Sequence, residues 1–213
     1  TAATAATAAT AATAAATTST TVKEIITRKN KVYKGSFVYG KRHGTGRIDF
    51  PSGAYYEGQW SHGLKDGLGQ YLFPNCDMYR GTFSNDHRNG IGIIKYHKTG
   101  NVFDGQWKDD KRFYGKLFFK NNNIYIGHFS NDGMKMHGIG KFIWSADGSV
   151  YDGNWLDDQA HGYGVYTCKS YKYSGGWYKN KKHTHTNTHT HTHTHTHTHT
   201  NTNTNTSTGA YSN

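Results

Sequence analysis

Seven times in this chain an aromatic residue is followed two places later by glycine and two places after that by another aromatic. The units are Tyr33-Gly35-Phe37, Tyr56-Gly58-Trp60, Tyr79-Gly81-Phe83, Phe103-Gly105-Trp107, Tyr125-Gly127-Phe129, Tyr151-Gly153-Trp155 and Tyr173-Gly175-Trp177. Their starts are spaced by 23, 23, 24, 22, 26 and 22 residues. A fixed period of this length marks a repeat array and constrains the fold before any other feature does. An array of small identical units is a surface more often than a catalytic pocket.

Each unit has a second half. Gly44-Thr45-Gly46, Gly67-Leu68-Gly69, Gly90-Ile91-Gly92, Gly138-Ile139-Gly140 and Gly162-Tyr163-Gly164 are intact copies, whereas the fourth unit has Phe113 in place of the first glycine and keeps only Gly115. Apolar residues follow at alternate positions, as in Ile48 and Phe50, Tyr71 and Phe73, or Phe142 and Trp144. Alternation with period two marks strands with one apolar face. The opposite face reads as polar: Lys34 and Ser36, Glu57 and Gln59, Arg80 and Thr82, Asp104 and Gln106, Asp152 and Asn154. Turn-rich stretches such as Tyr39-Gly40-Lys41 and Asn131-Asp132-Gly133 separate the halves, so each unit reads as a β-hairpin. Glycine recurring on the aromatic face gives a neighbouring ring room to lie over bare backbone. No helical pattern follows these glycines, so they do not read as a phosphate cradle.

The pattern Tyr-x-Gly-x-Trp, turn, Gly-x-Gly-x-apolar-x-aromatic resembles the MORN repeat family (membrane occupation and recognition nexus) from about Lys31 to Lys182. The predicted fold is all-β: an elongated, single-layer antiparallel array of β-hairpins, about 10 Å per repeat and on the order of 65 Å in all. The resemblance implies the same single-layer sheet, with its aromatic side lining a shallow groove. It also implies protein–protein contacts, membrane-proximal roles, or both.

The composition divides the chain. Residues 1–20 are Thr, Ala and one Ser, and residues 183–213 are dominated by His-Thr and Asn-Thr pairs. Neither segment has an apolar period, so both are predicted to be disordered tails. Residues 21–32 read as a capping segment. Thr21-Val22-Lys23-Glu24 matches a helix capping box, and a spare strand is the alternative. Residues 33–182 hold six full repeats and a truncated seventh. The first residue is Thr, which suggests a fragment or an incomplete gene model. The His-Thr tract reads as simple-sequence DNA interrupting the last hairpin. Alternating His there would chelate metal in vitro, but no metal or cofactor role is assigned. The Ala/Thr segment is too weakly apolar for a confident membrane span. Cys76 and Cys168 lack paired spacing, which fits an intracellular, cytoplasmic or membrane-peripheral protein.

The net charge is +11. Lys41, Arg42, Arg88, Lys111, Arg112, Lys181 and Lys182 all fall in or beside the turns, and they are the candidate anionic-lipid contacts. Nucleic acid is disfavoured, because the aromatics are committed to repeat packing. No enzyme is predicted. His43, His137 and His161 each precede the first glycine of a pair, and Glu57, Asp104 and Asp152 share one repeat position, so none forms a set apart from the repeat grammar. The functional reading is a non-catalytic scaffold for a protein partner. Its alternatives are an anionic-lipid tether, or the accessory array of a larger enzyme such as a phosphatidylinositol phosphate kinase, where MORN arrays occur. Candidate partner contacts are Tyr56, Trp60, Tyr79 and Trp107 on the aromatic face. Phe113, Tyr114 and Met134 join them where the repeat is irregular. A single layer is expected to leave part of each ring accessible.

Overall fold

The computed structural model describes residues 21–26 and 30–183. The Thr/Ala tail at 1–20 and the His/Thr/Asn tail beyond His183 lie outside the described residues. Fifteen strands form one antiparallel sheet, ordered along the chain without a crossover. They are β1 (Thr21–Ile26), β2 (Val32–Val38), β3 (Lys41–Asp49), β4 (Tyr55–Ser61), β5 (Leu64–Leu72), β6 (Met78–Ser84), β7 (His87–Lys95) and β8 (Val102–Lys108). The remainder are β9 (Lys111–Phe118), β10 (Ile124–Phe129), β11 (Met136–Ile143), β12 (Val150–Leu156), β13 (Gln159–Thr167), β14 (Lys172–Tyr178) and β15 (Lys181–His183).

The capping-box helix at Thr21 does not form. Residues 21–26 are a strand, paired with β2 from Thr21 opposite Phe37 to Ile26 opposite Val32. Six cross-strand pairs cover an edge whose backbone groups would otherwise be open, whereas an isolated one-turn helix is marginal in water. At the other end, the seventh hairpin returns, among the described residues, through the three residues of β15.

A continuous row of glycines crosses the sheet. Gly35 faces Gly46, which faces Gly58, then Gly69, Gly81 and Gly92. The row continues through Gly105, Gly115, Gly127, Gly140, Gly153, Gly164 and Gly175. The first aromatic of each repeat lies over this row. Tyr33, Tyr56, Tyr79, Phe103, Tyr125 and Tyr151 are the largest fully buried side chains. The tyrosine hydroxyls donate to the carbonyl three residues on, as in Tyr56 to Gln59 (2.8 Å) and Tyr125 to His128 (2.7 Å).

From the second repeat on, the second aromatic bridges two of these rings edge-on, while Phe37, among the described residues, meets Tyr33 alone. Trp60 meets Tyr33 at 5.4 Å and Tyr56 at 5.1 Å, and Trp107 meets Tyr79 and Phe103 at 5.3 Å each. The same zigzag runs through Phe83, Phe129, Trp155 and Trp177. The indole N–H groups donate across the strand: Trp60 to the carbonyl of Gly46, Trp107 to Gly92, Trp155 to Gly140 and Trp177 to Gly164. Edge-to-face pairs contribute about 0.5–1.5 kcal/mol each beyond area burial, so one layer of rings serves as the core.

This corrects the expectation of accessible rings. Tyr56 and Tyr79 are 0% exposed and Trp60 and Trp107 are 4% exposed. A ring lying flat on glycine backbone needs no second layer, because the sheet covers one face and neighbouring rings cover its edges.

Candidate binding site on the aromatic face

Two residues after each hairpin turn, the returning strand places a side chain opposite the second aromatic of its own repeat. Arg42 faces Phe37, Lys65 faces Trp60, Arg88 faces Phe83 and Arg112 faces Trp107. Each cation reaches over the second aromatic of the next repeat. The Arg42 guanidinium lies 4.0 Å from the Trp60 ring centre, Arg88 4.3 Å from Trp107 and Arg112 4.5 Å from Phe129, with Lys65 5.5 Å from Phe83. Lys182 extends the theme over Tyr171 at 4.3 Å. Met136 and Ala160 take the corresponding positions in repeats five and six, facing Phe129 and Trp155.

These cations are therefore not free turn charges. Arg42, Arg88, Arg112 and Lys182, read from the sequence as lipid-facing, belong to the aromatic face, where the ring quadrupoles attract them. Lys41, Lys111 and Lys181 are one residue earlier and stay exposed.

The turn of the next repeat closes over the cation's backbone. Asp110 N donates to the Arg88 carbonyl (3.0 Å), while Asp110 Oδ1 accepts from Arg88 N (3.0 Å) and Nε (2.9 Å). His87 Nδ1 lies 2.7 Å from the other carboxylate oxygen. Burial pushes the Asp110 carboxyl up. The hydrogen bonds from Arg88 and His87 and the Arg88 charge outweigh it, so the group is held below the ordinary aspartate value. Asp86 caps Lys65 in the same way, accepting from Lys65 N at 2.9 Å with Nζ 3.9 Å away. Burial lowers the Lys65 ammonium, against the pull of Asp86 and Asp110. Asp158 and Asn180 cap Met136 N and Ala160 N, both at 2.7 Å.

The irregular fourth and fifth repeats break this pattern. Between its facing glycines the fourth hairpin is one residue shorter than the third and three shorter than the fifth, and its bulge lies between Gln106 and Trp107. The structure divides the candidate contacts there between two faces. Phe113 (49% exposed) and Tyr114 turn to the outer face against His128, at 5.9 and 4.9 Å between ring centres. Met134 (70% exposed) stands on the aromatic face, beside an open cavity of about 430 Å³ lined by Arg88, Tyr96, Trp107 and Arg112. The longer fifth turn gives Arg112 two carbonyls, Gly133 O from Nε and Met134 O from Nη2, both at 2.7 Å. Burial lowers the Arg112 guanidinium, against the stabilising fields of Tyr96, Asp158 and Asp132.

Residues 33–55, 56–75, 79–98, 103–113, 125–149 and 151–171 each match the MORN repeat family. The chain belongs to the MORN repeat family. The short fourth match ends at Phe113, where this MORN array loses its glycine. Among solved structures, the array is similar to the TCP domain of SAS-4 (dCPAP) of Drosophila melanogaster in complex with a proline-rich motif of Ana2 (dSTIL). The two share 13% identity over 72% of this chain and 88% of that one, at a TM-score of 0.39. No curated protein matches this chain. Among the described residues, no helix is long and apolar enough to cross a membrane.

The sequence missed one further feature, a row on the face it reads as polar. The middle residues of four Gly-x-Gly pairs stand exposed there, Leu68, Ile91, Ile139 and Tyr163, with Tyr114 at the equivalent place of the fourth repeat. The alternation contains them, but all except Tyr114 are single apolar residues between glycines, and only the common register aligns them.

Proposed function

We propose that this MORN array is a non-catalytic scaffold that binds a protein partner along its aromatic face. The observation that carries this reading is the cluster where the repeats become irregular. Met134 stands exposed beside an open cavity that Trp107, Arg88 and Arg112 help to line. A uniform array offers no unique address. An exposed methionine beside an aromatic and two arginines does, and such residues are favoured at interfaces. The buried Tyr56, Trp60, Tyr79 and Trp107 act on this reading by shaping the groove and holding the cations.

The test is capture of a protein partner by the tagged chain and by Met134→Asp. The side chain of Met134 is exposed, so the variant should melt like the parent. Capture by the parent and its loss in the variant supports the reading. Equal capture by both overturns the assignment of the site.

A second reading, membrane tethering, is favoured by the exposed Lys41, Lys111 and Lys181 at the hairpin ends. Each lysine close to an anionic surface contributes about 1 kcal/mol, screened by salt. Sedimentation with phosphatidylserine vesicles should weaken when these three become Ala, and equal binding to neutral vesicles rejects this reading.

A further inference from the structure

Two of the ring-stacked arginines lack the carboxylate that the repeat supplies elsewhere. Arg88 has Asp110, and Lys65 has Asp86. At Arg42 the equivalent turn residue is Gly63, which keeps the backbone bond to the Arg42 carbonyl (2.8 Å) and offers the guanidinium only its own carbonyl, 2.6 Å from Nη2. At Arg112 the two carbonyls of Gly133 and Met134 take the acid's place. Among the described residues neither arginine has a carboxylate within 4.0 Å.

Each of these arginines also opens on a cavity. Arg112 lines the cavity of about 430 Å³ beside Met134, where Arg88 and Lys111 are joined by Asp77, Asp110 and Asp132; Asp110 is committed to Arg88, and Asp132 to Ser130 and the Met134 N–H. Arg42 lines another of about 450 Å³ with Lys31, Tyr33, Phe37 and Ile48. Both cavities are on the aromatic face. Between the two arginines, from β3 to β9, are six strand steps, or about 29 Å.

We propose that Arg42 and Arg112 are paired docking points for the carboxylates of an acidic polypeptide segment lying along the aromatic face. This rests on the reading of the array as a protein-binding scaffold and names the partner's chemistry. The bound geometry has a template one repeat away, where the Asp110 carboxylate accepts from Arg88 Nε at 2.9 Å while Arg88 stacks on Trp107. A partner aspartate or glutamate completes at Arg42 the arrangement the chain completes for itself at Arg88, and at Arg112, whose Nε and Nη2 already donate to carbonyls, it meets the remaining Nη1 and the charge. Stacking holds the guanidinium plane before the acid arrives, so less side-chain freedom is lost on binding. The arginines sit against rings on the face of the sheet, while the exposed lysines occupy its edge. That separates peptide docking from any contact with a flat bilayer.

The probe is a fluorescein-labelled peptide of about 24 residues, rich in glutamate and leucine, read by anisotropy against the full chain. Arg42→Gln/Arg112→Gln should weaken binding by about tenfold or more. Lys34→Gln/Lys116→Gln removes the same charge from the outer face and should leave binding nearly unchanged. Equal loss in both double variants reduces the effect to net charge and overturns the proposal.

Gly63→Asp guards against misfolding as the cause. A side chain there meets nothing within 4 Å, and the backbone φ is positive, +95° against +72° and +66° at Asp86 and Asp110, so an aspartate fits the space at a left-handed backbone cost. The new carboxylate should pair with Arg42 and weaken the peptide, while the left-handed backbone cost offsets what the pair contributes to the melting temperature. A variant that folds cooperatively and keeps undiminished peptide affinity overturns the proposal. So does binding of phosphatidylserine vesicles that depends on Arg42 and Arg112 while the peptide does not bind. If the peptide fails but Met134-dependent capture of a protein persists, the acidic chemistry is wrong and the scaffold reading stands.

Discussion

The ring of Tyr56 lies so close over Gly69 that a Cβ added there would be 2.6 Å from the ring's Cζ. The ring cannot lift away. Its hydroxyl is bound to the Gln59 carbonyl, and Trp60 and Phe83 close on it edge-on. Gly69→Ala should therefore cost about 3 kcal/mol, the upper end for overpacking a filled core. Gly40→Ala has open space around it and bears only the left-handed backbone cost, about 1–2 kcal/mol. Thermal melts of the two variants check the order, and equal losses would show that ring contact is not the reason for the glycine row.

The tyrosine hydroxyl is separable from the ring. Phe103 holds the same place over Gly105 and Gly115 without one, and it is fully buried. Tyr79→Phe should keep the packing and lose the bond to the Thr82 carbonyl (2.9 Å), at about 1–2 kcal/mol. Denaturant unfolding gives the value, with an unchanged m showing that the sheet is intact. A loss above that range would mean that the hydroxyl positions the ring.

Burial also sets an alkaline limit. It pushes the Tyr79 and Tyr151 hydroxyls from 10.0 up to about 12. The folded state then holds these protons more tightly than the unfolded state. Stability from this source is complete below pH 10 and is lost as pH rises towards 12. Unfolding should begin in that window, together with tyrosinate absorbance from the buried rings. Ionisation of all the tyrosines near their ordinary value without unfolding would contradict it.

The glycine row, the hairpins and the inward aromatics are legible in the sequence because period two and the repeat both fix them. The cations are not. Arg42, Arg88 and Arg112 stand beside turns, where sequence alone reads a basic residue as solvated, and the register shifts between Gly35 and Phe37, Gly81 and Phe83, and Gln106 and Trp107 set each opposite an aromatic. The split of Phe113 and Tyr114 from Met134 is hidden for a related reason. A one-residue change in hairpin length moves side chains to the other face, and a short segment does not show which strand absorbs it. At Thr21 a capping box and a strand are both consistent with the residues, and the open edge of β2 decides between them.

The clamp between Arg88 and Asp110 contains two effects that mutation can separate. Asp110 Oδ1 accepts from the Arg88 backbone N–H and from its guanidinium, while the side chain stays partly open to water. The charge pair alone is worth about 0.2–1 kcal/mol in such a setting. The backbone bond does not need the charge, because Asn180 makes it to Ala160 N at 2.7 Å with an amide oxygen. Asp110→Asn should therefore cost less than about 1 kcal/mol, and the loss should shrink as salt screens the parent pair. Asp110→Ala removes both partners and leaves the Arg88 N–H without its acceptor, so it should cost about 1–3 kcal/mol and change little with salt. Chemical denaturation by urea, which adds no ions, at low and high sodium chloride measures both. A large, salt-sensitive loss in Asp110→Asn would show instead that the ion pair, and not the capped backbone, ties each turn to the repeat before it.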